Sequence, residues 1–479
     1  MQNNRQFFAL HWLFFCAITF PLVMGSVLFA QQNNNQNNQN NQNQNQNNQN
    51  NRNDDPNRGG IAIDTNGVLS RDVTLDVGQL NLRKINIARA SYTLPRDISA
   101  KSLTRCISLN RMEKSIIEAG GAITNEMMYL AGLQRITHVF YFPESKDIVI
   151  AGPAEGWFPG YEGTMIGKES LQPVCELQHL ITALRAYAPN KEGAGIVGCS
   201  IDPTAEGNVR LQQFQAQAGR LTRQQFADGV QKSLGMQVIQ VDGIPATTHA
   251  AQMMVAADYR MKRIGLGMDT IRVQGLRMFI NHTVQNDTNA LFRWYFVPDY
   301  ESVIMTEDRT GIQLVGDGVK LVGENELVSE TTGERTVRSG ILDPGTREFT
   351  RTFTQQYPQI AKQALVFAQL RNWVDMLICA AHIQREDFYG KSGWSMEFFG
   401  NEEKYPLETF VAPKEVEPVV GIRVIGTRTL TPVGGGIVID AEQALDKEHA
   451  KSDTDKKIAN TQAKIGLNLP ENVWWWDVR

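Results

Sequence analysis

Cysteine is scarce in this chain, with five in 479 residues, and Cys16 falls inside an N-terminal apolar run. The other four, Cys106, Cys175, Cys199 and Cys379, are too few to staple a fold of this size. That excludes a disulfide scaffold and leaves three pairings that spacing does not rank. One bridge or none is expected, with buried thiols elsewhere. An excess of charge is also absent. The formal net charge is -4 and the pI about 6.1. Residues 1–30 carry Arg5 and no acid, so the remainder holds 46 basic and 51 acidic residues. A nucleic-acid binder would concentrate basic residues on one face, so no nucleic-acid partner is expected. Beyond residue 30 no stretch of 18 uninterrupted apolar residues occurs, which gives no reason to place a further helix across a membrane.

Catalytic and cofactor signatures are missing as well. A phosphate loop needs a glycine five residues before Gly-Lys-Ser/Thr, so that backbone amides wrap the phosphate. Glu162 stands there for Gly167-Lys168, with Glu169 after the lysine, and Arg385 stands there for Gly390-Lys391-Ser392. Neither Gly265-Leu266-Gly267 nor Gly316-Asp317-Gly318 completes a dinucleotide fingerprint, since Thr270 and Leu321 occupy the third glycine position. His138, His179, His249, His282, His382 and His449 are scattered, and no HExxH or CxxC exists. No metal ligands and no cofactor are therefore assigned. A Gly-x-Ser-x-Gly nucleophile elbow is absent too.

What is present begins with export. A short polar start containing Arg5 leads into the apolar run Phe7 to Phe29, and Ala30 precedes an abrupt polar switch at Gln31. This is the order of a signal peptide, with cleavage expected after Ala30. Leu28 is large for the position two before the cut, and residues 7–29 are long enough to remain as a membrane anchor. Residues 31–51 are all Gln or Asn. Amides with no apolar neighbours have nothing to bury and cannot offset the entropy of ordering, so residues 31–58 read as a disordered Gln/Asn-rich linker.

Folded structure is expected from residue 59. Residues 61–63 and 71–77 alternate as strands, the latter with Val73, Leu75 and Val77 on one side. Ser102 to Leu133 reads as helical, with Thr124 capping a helix through Met127 and Met128. Residues 136–151 form a hairpin with its turn at 143–146. A glycine-rich loop spans Gly152 to Gly160, and a helix follows through Leu177, Leu180, Ile181 and Leu184. Gly195 to Ile201 reads as a buried strand, 205–234 as two polar helices and 237–241 as a strand. The helix over 246–263 carries Arg260, Lys262 and Arg263 at its carbonyl end. Short antiparallel strands fill 294–328. Residues 346–387 are helical, and there Arg371 and Asp375 are spaced to pair on one face. Strands return near 417–425 and 436–440, and a charged helical stretch covers 441–460. Helices and hairpins alternate without a βαβ rhythm, so the expected fold is α+β: mixed short antiparallel sheets and hairpins with amphipathic helices. The expected division is residues 59–300 and 301–479.

Three groups have chemical potential. Cys199 ends an apolar strand, where a nucleophile could project from a sheet edge with His179 or His138 as base. A small buried thiol is the simpler reading. Glu155, Trp157 and Phe158 combine a carboxylate with two aromatic rings between glycines, a set that could grip a glycan or a peptide. A rigid turn with tucked aromatics is the plainer alternative. Trp474–Trp476 offer a stacking platform, or else dock the C-terminus onto the core.

Several blocks are specific in a different way: 147–157 (Asp147 to Trp157), Gly198-Cys199-Ser200-Ile201-Asp202-Pro203-Thr204, and 257–265 (Ala257 to Gly265). Together with Gly316-Asp317-Gly318-Val319-Lys320-Leu321 and Leu370-Arg371-Asn372, they resemble a family of exported planctomycete proteins known only as a domain of unknown function. The resemblance covers most of residues 60–440. It implies a secreted or envelope setting and carries over no activity, ligand or catalytic residue. The expectation is an exported, non-enzymatic binding or structural component of the periplasm, cell envelope or secreted fraction, with an envelope or extracellular partner. The alternative is an exported hydrolase with a cysteine or carboxylate site near Cys199 and Glu155.

Overall fold

Three consecutive glycines, Gly434, Gly435 and Gly436, lie on an interior strand of the largest sheet, and their neighbours explain them. In the computed structural model this strand, Val433–Asp440, runs antiparallel to Ile196–Asp202 on one side and parallel to Ala290–Pro298 on the other. A Cβ on Gly435 would sit 2.0 Å from the Trp294 carbonyl oxygen and 2.9 Å from Lys262 Cε. Only a residue without a side chain lets the backbones and the overlying helix approach this closely.

The structure describes residues 61–71, 92–160, 164–219, 221–269, 271–283, 290–299, 303–328, 332, 335–337, 342–421, 424–425, 428–429 and 433–478. The leader, the Gln/Asn linker and the alternation at Val73, Leu75 and Val77 lie outside them. Among the described residues no helix is long and apolar enough to cross a membrane.

The architecture is α+β. The larger sheet has nine strands in the order Ile61–Ile63, Val68–Arg71, Glu415–Val416, Gln237–Asp242, Ile196–Asp202, Val433–Asp440, Ala290–Pro298, Val319–Val328 and Arg335–Val337. The second sheet has seven: Lys451–Ser452, Val303–Met305, Gly311–Leu314, His138–Phe142, Asp147–Ala154, Ser102–Ser108 and Trp475–Asp477. Each draws strands from both sides of residue 300, so a boundary at 300/301 runs through both sheets. Residues 55–479 cluster as one compact unit.

Three helices, α1 (Leu177–Ala186), α2 (His249–Gly265) and α3 (Leu365–Arg385), pack against one another. α3 is buried on nearly every face, as its all-round apolar sequence requires. α2 lies across the central strands, and its Lys262 turns into the sheet. There Lys262 Nζ donates to Asp258 Oδ2 at 2.9 Å and to the Ile201 carbonyl at 3.1 Å. The other two cations at this helix end also find partners off the helix: Arg263 donates to the Met268 carbonyl, beyond the helix end, at 2.8 Å, and Arg260 pairs with Asp269 at 3.3 Å.

Local chemistry set several elements as expected. Thr124 accepts from the Met127 amide, and Phe142 pairs with Asp147 across the 143–146 turn. Other readings change. Ser102–Ser108 is a strand, because both its neighbours, Asp147–Ala154 and Trp475–Asp477, are supplied from far along the chain. Trp157–Pro159 is a short strand paired with Met165–Gly167 and not part of a loop. The 441–460 stretch yields a single helical turn and a two-residue strand, and the helix forms later, at Lys457–Leu467. Arg371 and Asp375 do not form their hydrogen-bonded pair. Asp375 takes Arg135 in a fork of 2.5 and 3.0 Å, and Arg371 faces Asp317 at 3.9 Å. The fork to Arg135 satisfies the buried Asp375 carboxylate with a bidentate geometry that the helix face does not offer, while Arg371 Nε stays buried without a hydrogen bond.

The aromatic C-terminus docks. Trp476 is buried and Trp475 lies under the Arg105 guanidinium, 4.8 Å from the ring centre. Arg105, itself fully buried, also holds Asp477 through two hydrogen bonds of 2.8 and 3.0 Å.

Candidate metal centre

Glu176 occupies the N-cap position of α1 in an extended backbone conformation, but its side chain makes no capping hydrogen bond. Its carboxylate instead accepts from Gln178 Nε2 at 2.6 Å. His179 is the third residue of the helix, so Glu176 and His179 project from the same first turn. His249 opens α2, behind an N-cap Thr248 whose hydroxyl accepts from the Ala251 amide at 3.3 Å. The Phe410 amide donates to the Thr247 carbonyl at 2.8 Å, and the Phe410 ring lies 5.6 Å from that of His249. The first turns of the two helices, with His179 and His249 70 residues apart in the chain, lie side by side.

The two imidazoles lie within 4° of coplanar, with His179 Nε2 and His249 Nδ1 2.8 Å apart in a hydrogen bond. One oxygen of Glu176 completes the group, and all three ligand atoms lie within 4.8 Å of one another. Exposure is 9% for Glu176, 6% for His179 and 3% for His249. The Trp373 ring of α3 meets His179 edge-on at 6.3 Å.

The electrostatics suit a cation ligand set. Burial pulls His179 down to about 4, against the opposing pull of Glu176, so the ring is neutral at pH 7. Burial acts to raise the Glu176 carboxyl, but the two imidazoles and the Gln178 amide outweigh it and hold it below the ordinary glutamate value. A neutral imidazole and an ionised carboxylate are the forms that coordinate metal. Tyr129 and Tyr405, within electrostatic reach of Glu176, stay protonated, each pushed up to about 12 chiefly by burial. Two nitrogens and one carboxylate oxygen form a borderline donor set matching zinc and its neighbours in the first transition row. Ligand atoms on a tetrahedral zinc are roughly 3.3 Å apart, so the histidine contact would open by about half an ångström.

The residues singled out from the sequence lie elsewhere. Glu155 is buried, and its Oε1 accepts from Ser170 Oγ at 2.6 Å, the Ser170 amide at 2.9 Å and the Glu169 amide at 3.3 Å. It fixes the turn after Met165–Gly167. Trp157 and Phe158 are fully buried, so none of the three turns a face to solvent here. Cys199 is buried in the central sheet, where burial pushes its thiol well above the ordinary value. Neither proposed base joins it, for His179 bonds His249 and His138 stacks on Phe140 with a centroid distance of 5.5 Å. Cys106, Cys175, Cys199 and Cys379 are all free and buried.

Sequence reasoning missed the Glu176–His179–His249 group. Its visible trace was Glu176-Leu177-Gln178-His179, a carboxylate and an imidazole three residues apart at a helix start. The spacing to His249 is set by tertiary packing alone.

Comparison with known proteins adds one finding. No curated protein and no solved structure matches the chain. A family model described as "Protein of unknown function (DUF1598)" matches residues 199–279, a span that holds Cys199, Asp258, Lys262 and His249 but not Glu176 or His179. The chain carries a DUF1598 domain of unknown function at residues 199–279.

Proposed function

We propose that this is an exported protein of the periplasm, cell envelope or secreted fraction that acts by binding, and that it binds a divalent transition-metal ion through Glu176, His179 and His249. One observation carries the metal reading: three metal-competent side chains from two helices converge in the interior, with ligand atoms within 4.8 Å. The apolar run Phe7 to Phe29, the amide tract 31–51 and the resemblance to exported planctomycete proteins support the setting. A glycan or peptide grip on Glu155, Trp157 and Phe158 has less support because all three are buried. A cysteine hydrolase centred on Cys199 has less for the same reason, since the reactive species is the thiolate and burial disfavours it.

The test is cobalt binding. The full chain, stripped with a chelator, should take up one equivalent of Co²⁺ and develop visible ligand-field absorption of a four- or five-coordinate ion. His179→Ala and His249→Ala should each lose it while keeping the far-UV circular dichroism of the parent. Failure of the parent to bind stoichiometrically, or retention by both variants, would overturn the assignment.

A further inference from the structure

Three protein ligands leave a tetrahedral ion one position short. What fills it follows from charge. A divalent ion held by two neutral imidazoles and one carboxylate keeps one uncompensated positive charge in an interior where each ligand is at most 9% exposed. Burying an unpaired charge is costly. The group also sits in the first turns of α1 and α2, helices of 10 and 17 residues, whose positive dipole ends add to the excess. All three contributions favour a negative ligand.

A second, independent observation points the same way. The Trp373 indole N–H is buried without a hydrogen-bond partner, on the ring that meets His179 edge-on. A buried donor left unpaired is costly, a penalty that a hydrogen-bond acceptor brought by a ligand would remove.

We infer that the bound ion takes a carboxylate of a small anionic ligand at its open position, with Trp373 Nε1 donating to it. This rests on the metal reading of the site. Binding is a ligand exchange: the carboxylate oxygen bonds the ion and water leaves, with no change in oxidation state. The chain offers its own candidate for that position. Gln252 lies one turn beyond His249, its Nε2 donates to the Val411 carbonyl at 3.1 Å, and its Oε1 is buried without a partner.

The experiment uses the full chain loaded with one equivalent of Co²⁺, titrated with acetate and, separately, with acetamide of the same shape but no charge. Acetate should shift the cobalt spectrum saturably and acetamide should not. Trp373→Phe should bind Co²⁺ normally and weaken acetate at least tenfold. A chain that takes up no Co²⁺ overturns the metal centre and this inference with it. A chain that binds Co²⁺ and ignores acetate overturns this inference alone. Loss of the parental cobalt spectrum in Gln252→Leu would then identify the amide oxygen as the occupant. An equal response to acetate and acetamide would also overturn it, because charge would then not be what is recognised.

Discussion

His179 Nε2 and His249 Nδ1 share a hydrogen bond of 2.8 Å between rings 4° from coplanar, although 70 residues separate them in the chain. One of the two nitrogens must carry the proton, so each ring satisfies the other. In metal-free protein, His249→Ala or His179→Ala leaves a buried nitrogen unpaired and should cost about 1–3 kcal/mol. With Zn²⁺ at a hundred times its dissociation constant, the parent should gain about 2.7 kcal/mol and the variants nothing. Urea unfolding with and without zinc reads both numbers. Equal zinc stabilisation of parent and variants would refute the site.

Gly435→Ala should lower stability by more than about 3 kcal/mol or abolish soluble expression, because the added Cβ would lie 2.0 Å from a backbone oxygen that cannot move alone. A folded variant with an unchanged melting midpoint would contradict the close approach described for Val433–Asp440.

The Asp258–Lys262 pair, 0% and 1% exposed, is predicted to behave as a unit. Lys262→Met strands a buried carboxylate and should cost about 3–5 kcal/mol, whereas Asp258→Leu combined with Lys262→Met should recover most of that loss. Additive losses in the double variant, measured by denaturant midpoints, would show that the pair is not coupled.

His382 gives the stability a pH dependence. It is fully buried with neither ring nitrogen bonded, and its pKa falls to about 3 through burial first and then the cations Arg309, Arg385 and Lys391. The unfolded chain takes up this proton near pH 6.5, while the folded chain does so only near 3. Its contribution is therefore intact above pH 6.5 and declines as the pH falls toward 3, by about 1.4 kcal/mol per pH unit. His382→Leu cannot protonate and should flatten that part of the curve between pH 6 and 4.5. Parallel curves for the two proteins would refute the assignment.

Thiol labelling offers a simple check on the packing. Cys106, Cys175, Cys199 and Cys379 are free and buried, so a thiol reagent at neutral pH should find none of them in the native protein and all four after denaturation without reductant. Rapid native labelling of Cys199 would reopen the nucleophile reading.

Local sequence determined much of the secondary structure. The 143–146 turn, the Thr124 cap and the apolar periodicity of α1, α2 and α3 are interactions between residues a few positions apart, and nearly all were legible in the chain. The α+β class followed from their order. Where neighbours came from far away, local reading failed: Ser102–Ser108 is a strand because Asp147–Ala154 and Trp475–Asp477 flank it.

Glu155, Trp157, Phe158 and Cys199 have reactive or adhesive side chains, and the sequence therefore drew attention to them. Only the fold decided that Glu155 would bind a turn and that Trp157, Phe158 and Cys199 would be packed away. The converse holds for His249, which has no partner within ordinary sequence reach and gains one when α1 and α2 meet. Composition and local spacing dictate which residues form a helix or a strand, because those interactions are short-range along the chain. Which side chains face one another across the interior depends on how the elements pack. Here that packing set a carboxylate and two imidazoles at one point.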